Sequence, residues 1–309
     1  MKPALKWMLP AALAAVLAVL GGVWLRGRNV RAVFSQADAA EAFALAARLV
    51  KDCTPRHAGT SGARRAAEWI RQRAVEAGVS ARLDEFRAKA PGGECGFANV
   101  YAEIPASSGS AAPWIVFISH FDTYPNAGLG FEGANDGAST TGLLLALAKA
   151  LSRAALRRHN VALVWTDGEE SRGAYGPDDG LQGAIRAADE FRRLGRTVAA
   201  AVNLDMLGDR DLHIDLPANT TSALNEVVLK AARRLGLISF VSPGTLEMTD
   251  DYSAFLAHGW PATDIIDFSY GPDNRWWHTP EDTMDKISVE SLLVAGRIAA
   301  ETFNILDAQ

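Results

Sequence analysis

Along most of this chain, apolar runs of strand length alternate with stretches of helical periodicity. Pro113-Trp-Ile-Val-Phe-Ile-Ser119, Val161-Ala-Leu-Val-Trp165, Val198-Ala-Ala-Ala-Val-Asn-Leu-Asp205 and Asp264-Ile-Ile-Asp-Phe268 are apolar enough to predict strands buried on both faces. Asn99 to Ile104 alternates as a half-buried strand does, and Asp211 to Leu216 predicts an edge strand. Helical spacing runs from Asp38, a candidate N-cap, to Val50, then from Thr141 to Leu151, Ser222 to Leu235 and Ser288 to Phe303, with another helix expected after Gly62. Ala106 to Ala112 is the one low-complexity stretch and predicts a flexible surface connection. The pattern predicts an α/β fold, a mixed and mostly parallel sheet sandwiched by helices. Its site belongs in loops at the carboxyl ends of the strands.

The amino terminus changes that picture. Lys2 and Lys6 precede an uncharged, largely apolar run from Trp7 to Leu25, close to the roughly 20 residues that span hydrocarbon. The run exceeds the apolar core of a cleaved signal peptide and leads straight into Arg26, Arg28 and Arg31. One uncleaved transmembrane helix over 7–25 is therefore expected, after a basic segment 1–6 and before a linker 26–40, with a single catalytic domain over 41–309. With Lys2 and Lys6 inside, that domain faces outward, periplasmic or extracellular.

Composition excludes more than it assigns. A net charge of -5 over 309 residues, with no basic stripe, argues against nucleic-acid binding. No glycine-rich phosphate loop indicates a nucleotide. Cys53 and Cys95 are the two cysteines. A bridge between them would close a loop of about 40 residues and stabilise by about 4 kcal/mol, while two free thiols fit the spacing equally well.

The candidate chemistry sits where the buried strands end. His120 follows the first strand, Asp136 lies in the Asn-Asp-Gly turn before a helix, Glu169 and Glu170 follow the second strand, Asp205 ends the third, and His278 follows the fourth. Two imidazoles and three carboxylates suit zinc, and a spare carboxylate, Glu169, supplies the acid or base that a hydrolytic site needs. The remaining histidines, His57, His159, His213 and His258, are expected to be structural or at the surface. The pairs Asp178-Asp179 and Glu281-Asp282 are expected to be solvated turns.

These residues resemble the M28 zinc aminopeptidases, in particular their glutaminyl-cyclase-like branch, over about Glu41 to Phe303. The resemblance implies two zincs in a peptidase, one held by His120, Asp136 and Glu170 and the other by Asp136, Asp205 and His278, with Glu169 activating water. For a cyclase it implies one zinc on Asp136, Glu170 and His278, with Glu169, Asp205 and Asp250 handling protons. Three stretches favour the cyclase. Tyr175-Gly-Pro-Asp-Asp-Gly-Leu-Gln-Gly183 is similar to the cyclase stretch Trp-Ser-Pro-Gln-Asp-Ser-Leu-Tyr-Gly, and Asp250-Asp-Tyr252 with Gly259-Trp-Pro261 is similar to its Asp-Asp-His and Gly-x-Pro. Trp277 matches the aromatic that packs over substrate, and Tyr175 and Phe268 are further candidates for substrate contact. Tyr175 stands where the cyclases have Trp, and Tyr252 where they have His. The implied activity is conversion of an N-terminal glutamine to pyroglutamate. The alternatives are aminopeptidase hydrolysis and a non-catalytic peptide-binding ectodomain.

Overall fold

The computed structural model describes residues 31–309 except 108, 110, 155 and 156. Eight strands form one sheet: β1 (Ser80–Ala90), β2 (Gly93–Ile104), β3 (Trp114–His120), β4 (Asn160–Thr166), β5 (Val198–Asp205), β6 (Ile214–Leu216), β7 (Val241–Pro243) and β8 (Ala262–Ile266). Among the described residues, seven α-helices accompany them: α1 (Gln36–Cys53), α2 (Ser61–Glu76), α3 (Thr140–Ser152), α4 (Gln182–Arg193), α5 (Ser222–Leu235), α6 (Tyr252–Ala257) and α7 (Val289–Asp307).

The sheet order is β1-β2-β4-β3-β5-β8-β6-β7. The four central strands β4, β3, β5 and β8 run parallel, while β1, β2 and β4 pair antiparallel at one side. β3 and β4 are buried along their whole length, as their apolar runs require. Successive side chains of a strand point to opposite faces, and the core divides accordingly. Ile115, Phe117, Leu163 and Trp165 pack into one cluster with α1, α3 and α7, whereas Val116, Ile118, Ala162 and Val164 pack into another with α4 and α6. Gly142 permits the close approach of α3 to α1, since a Cβ there would lie 2.3 Å from the carbonyl oxygen of Ala42.

Several boundaries differ from expectation. Asp38 does not cap α1; Ser35 does, and Asp38 completes a capping box by accepting from the Ser35 backbone at 2.8 Å. The strand expected over Asp211 to Leu216 is only β6, and it lies inside the sheet, with β7 at the edge. Cys53 and Cys95 are free and buried. The apolar run 7–25 lies outside the described residues, and among those described no helix is long and apolar enough to cross a membrane.

This topology positions the site. β4 lies on one side of β3 and β5 on the other, so the crossovers to β4 and then to β5 run in opposite directions and open a crevice at the carboxyl ends of the parallel strands. His120 and Asp205 are the last residues of β3 and β5.

Candidate metal centre and catalytic cavity

The two strand ends meet directly. The Nε2 of His120 lies 3.1 Å from Asp205 Oδ1 and 3.2 Å from Asp136 Oδ1. Asp136 sits in a one-turn π-helix, Ala134–Ser139, but its ψ of 91° turns the backbone out of the helical region and toward the crevice. No side chain fits at the next position, because a Cβ on Gly137 would lie 2.7 Å from both the His120 ring and its carbonyl oxygen. On the other side of Asp136, the Nε2 of His278 is 3.3 Å from Asp136 Oδ2 and 3.1 Å from Glu170 Oε2.

His120, Asp136 and Glu170 each bring a ligand atom within 4.8 Å of the others. That trio is one of the two groups the resemblance implies for a two-metal site. Ion pairs also set His120 beside Asp205 and His278 beside Glu170, and Asp136 touches both imidazoles. Orphaned atoms fit a cation here: Glu170 Oε1 and Oε2 and Asp136 Oδ2 are buried without a hydrogen bond. Buried carboxylate oxygens beside imidazoles are the donor set that zinc takes.

Electrostatics express the same arrangement in protein charges. Burial would raise Asp136, but hydrogen bonds from His120 and His278 hold it well below the usual carboxylate range. Burial opposes the charge of His278, and Asp136 and Glu170 outweigh it and lift it to about 10. Burial and the charge of Asp136 raise Glu170 to about 8.

Surrounding residues fix these groups. Asp122 accepts from the backbone N–H of Glu169 at 3.2 Å and of Glu170 at 3.3 Å, fastening the loop after β4 to the end of β3. His278 has a φ of 56°, unusual for a residue with a side chain. Its ring is clamped between Tyr124, 3.9 Å away and 7° from parallel, and Trp277, 4.0 Å away. The fully buried Arg56 donates to the carbonyl oxygens of Phe121 (2.6 Å), Glu132 (2.7 Å) and Gly133 (2.6 Å), tying together the two loops that flank the ligands.

Glu281-Asp282 does not behave as a solvated turn. Asp282 is fully buried and accepts from Asn135 N–H at 2.8 Å, Asp136 N–H at 3.2 Å and the Tyr270 hydroxyl at 2.6 Å. Burial pushes it up to about 7, while three donors favour its ionised form. Asp179 is likewise engaged, accepting from the backbone N–H of Arg172 and Gly173 at 2.7 and 2.8 Å. Asp178 and Glu281 are exposed, as expected.

The proton-handling candidates lie on the adjoining wall. Tyr175 donates its hydroxyl to Glu169 Oε1 at 2.8 Å. Burial raises Glu169 well above the usual range; the charge of His120 opposes this, and Glu170, Asp251 and Asp122 add to it. Asp250 is raised by burial and by Asp264 and Asp205. Asp264, absent from the sequence-derived candidates, is fully buried in β8, raised to about 8 by burial and then by Asp205, and accepts from Asn203 Nδ2 at 3.1 Å. A carboxylate inside an apolar strand was its signal.

All of this opens into a cavity of about 240 Å³. Its polar floor is Asp136, Glu169, Glu170, Asp205, Asp250 and His278, and its apolar walls include Met206, Ile266, Phe268 and Trp277. Phe268 and Trp277 meet edge to face at 5.0 Å. The three expected substrate-contacting aromatics, Tyr175, Phe268 and Trp277, all line it. Trp276 does not; it packs against Tyr270. His57, His159, His213 and His258 stand outside the ligand cluster, hydrogen-bonded or ion-paired elsewhere.

Residues 99–303, from β2 to α7, match the model of peptidase family M28. The chain belongs to that family. Among solved structures, the Acidobacteriales bacterium glutaminyl cyclase is 31% identical with a TM-score of 0.81, covering 88% of this chain and 95% of its own. This M28 chain is thus a relative of the glutaminyl-cyclase-like branch. A zinc-dependent exopeptidase from Parabacteroides distasonis shares the fold at a TM-score of 0.77, with 21% identity over 88% of this chain and 98% of that one. The glutaminyl-peptide cyclotransferase-like protein of Bos taurus is 29% identical over 74% of this chain, which spans 65% of that relative's length.

Proposed function

We propose that this chain is a zinc-dependent glutaminyl-peptide cyclotransferase, closing an N-terminal glutamine to pyroglutamate with release of ammonia. The carrying observation is the cavity: about 240 Å³, below the roughly 300–1,000 Å³ of pockets for drug-sized ligands. It is sized for one terminal residue, with the Tyr175–Glu169 pair at its wall. Asp136, Glu170 and His278 would hold one zinc, which would polarise the side-chain carbonyl of the glutamine. Glu169 takes a proton from the α-amine as its nitrogen bonds to that carbon, then returns the proton to the departing nitrogen, so ammonia leaves as the old C–N bond breaks. Tyr175 orients the Glu169 carboxylate, Phe268 and Trp277 exclude water, and Asp205, Asp250 and Asp264 share protons because closely spaced buried carboxylates cannot all ionise.

One observation favours a second reading. His120 stands with Asp136 and Glu170 in a trio able to hold a metal and lies 3.1 Å from Asp205, and two zincs would suit an aminopeptidase. Purified full-length protein in detergent, loaded with zinc, should release ammonia from a glutamine-initiated dipeptide amide and leave leucine amide intact, and Glu169→Gln should abolish the reaction. Free leucine from leucine amide, together with two zincs per chain, would establish the peptidase. We further infer that residues 7–25 anchor the catalytic domain outside the membrane; release of the protein from membranes by alkaline carbonate would exclude it.

A further inference from the structure

Exposure divides the cavity lining into a floor and a mouth. The carboxylate ligands and Glu169 are buried and His278 is half-buried, whereas Tyr175, Leu246 and Glu247 are open to solvent, Leu246 at 64%. Leu246 and Glu247 belong to the short connection between β7 and α6, and its backbone is pinned on both sides of Glu247. The Ala218 N–H donates to the Leu246 carbonyl at 2.9 Å. The Asn219 side chain donates to the Met248 carbonyl at 2.8 Å and accepts from the Met248 N–H at 3.1 Å. The Tyr252 hydroxyl donates to the Met248 carbonyl at 2.7 Å. Glu247 is therefore presented from a fixed backbone. It has no ion-pair partner among the described residues, and no lysine or arginine lines the cavity.

We propose that Glu247 makes the mouth selective for the charge of the residue that follows the substrate's N-terminus, favouring a cationic second residue and disfavouring an acidic one. The inference rests on the reading that the first residue occupies the cavity. An extended chain advances about 3.3–3.6 Å per residue, so the second side chain emerges where Tyr175, Leu246 and Glu247 stand. Leu246 offers an apolar shelf for the stem of a lysine or arginine, and Glu247 meets its charged end. The pair is solvated, so the preference is modest, about two- to fivefold, and salt weakens it.

The test uses full-length, zinc-loaded protein with Gln-Lys, Gln-Leu and Gln-Glu dipeptide amides, measuring kcat/KM by ammonia release and Kd by calorimetry at low and high salt. The expected order is Lys above Leu above Glu at low salt, compressed at high salt and inverted by Glu247→Lys. Ratios between substrates on one enzyme cancel any difference in folded fraction. Cyclisation with no charge order, or an order that Glu247→Lys leaves intact, overturns the selectivity while the cyclase reading stands. Charge-ordered Kd values that invert in the variant, without ammonia from any peptide, support the selectivity and sink the cyclase reading. Absence of both binding and turnover overturns both.

Discussion

Asp282 was expected to face solvent, and its burial gives the sharpest prediction. Its carboxylate holds the backbone of Asn135 and Asp136 and the hydroxyl of Tyr270, so it fixes the turn that aims Asp136 between the two imidazoles. Asp282→Asn keeps the shape but replaces one acceptor oxygen by a donor. In either orientation of the amide, at least one buried N–H faces another N–H and goes unsatisfied, costing about 1–3 kcal/mol. The substitution also removes the largest charge contribution that supports the buried Arg56 guanidinium, itself lowered by burial to about 10. Since Asp136 touches both histidines, most of that cost falls on metal binding, and zinc affinity should drop roughly 10- to 100-fold, the range for outer partners of metal ligands. Competition with a chromophoric chelator measures it directly. Tyr270→Phe removes one donor without stranding an N–H, so its effect should be smaller. A zinc Kd for folded Asp282→Asn within twofold of the parent would refute the argument.

Three other outcomes follow from distances already described. Tyr175→Phe removes the 2.8 Å hydrogen bond to Glu169, so kcat should fall by about 1.5–3 kcal/mol equivalent, roughly 10- to 150-fold. A hydrogen bond donated to a carboxylate favours its charged form; its loss raises Glu169 further, so the acidic limb of kcat/KM should move to higher pH, and a limb that stays or moves down would contradict the assigned contact. Glu169→Gln should lower kcat about 10²- to 10⁴-fold while the zinc content, read by atomic absorption, stays at the parent level. Gly137→Ala places a Cβ 2.7 Å from the His120 ring, so His120 must shift; if two zincs bind, the second should be lost at micromolar zinc, and retention of both would show that the ring has room to yield.

What could be read from the sequence follows physical lines. Fully apolar runs have one home in an α/β protein, so β3, β4, β5 and β8 were visible, and with them His120, Asp205 and the Glu169-Glu170 pair at their ends. β1 was not, because its alternation is diluted by charged residues on a half-exposed strand. Ligand types were legible because few residue types bind zinc. The distances among them were not, because these depend on strand order and on a backbone turned at Asp136.

The supporting shell escaped for a different reason. Asp282 and Tyr124 act through backbone N–H groups and a ring face, neither of which has a local pattern. An acidic residue in a loop reads as solvated by default, and that default fails where a loop is buried under a site. Asp264 marks the opposite case: an acid inside an apolar strand contradicts its surroundings within the sequence itself. Such contradictions persist when other parts of the structure compensate them, and here hydrogen bonds with Asn203 and Asp250 do so. The acid in an apolar run is therefore the stronger sequence signal for an inner polar network than the acid pair in a loop. It also orders the substitutions. Asp264→Leu should cost activity by altering the proton-sharing of Asp250 while sparing zinc, and Asp282→Asn should cost zinc first; the reverse pattern, measured by metal content and kcat on the two variants side by side, would mean that the inner network and the outer shell have been assigned to the wrong residues.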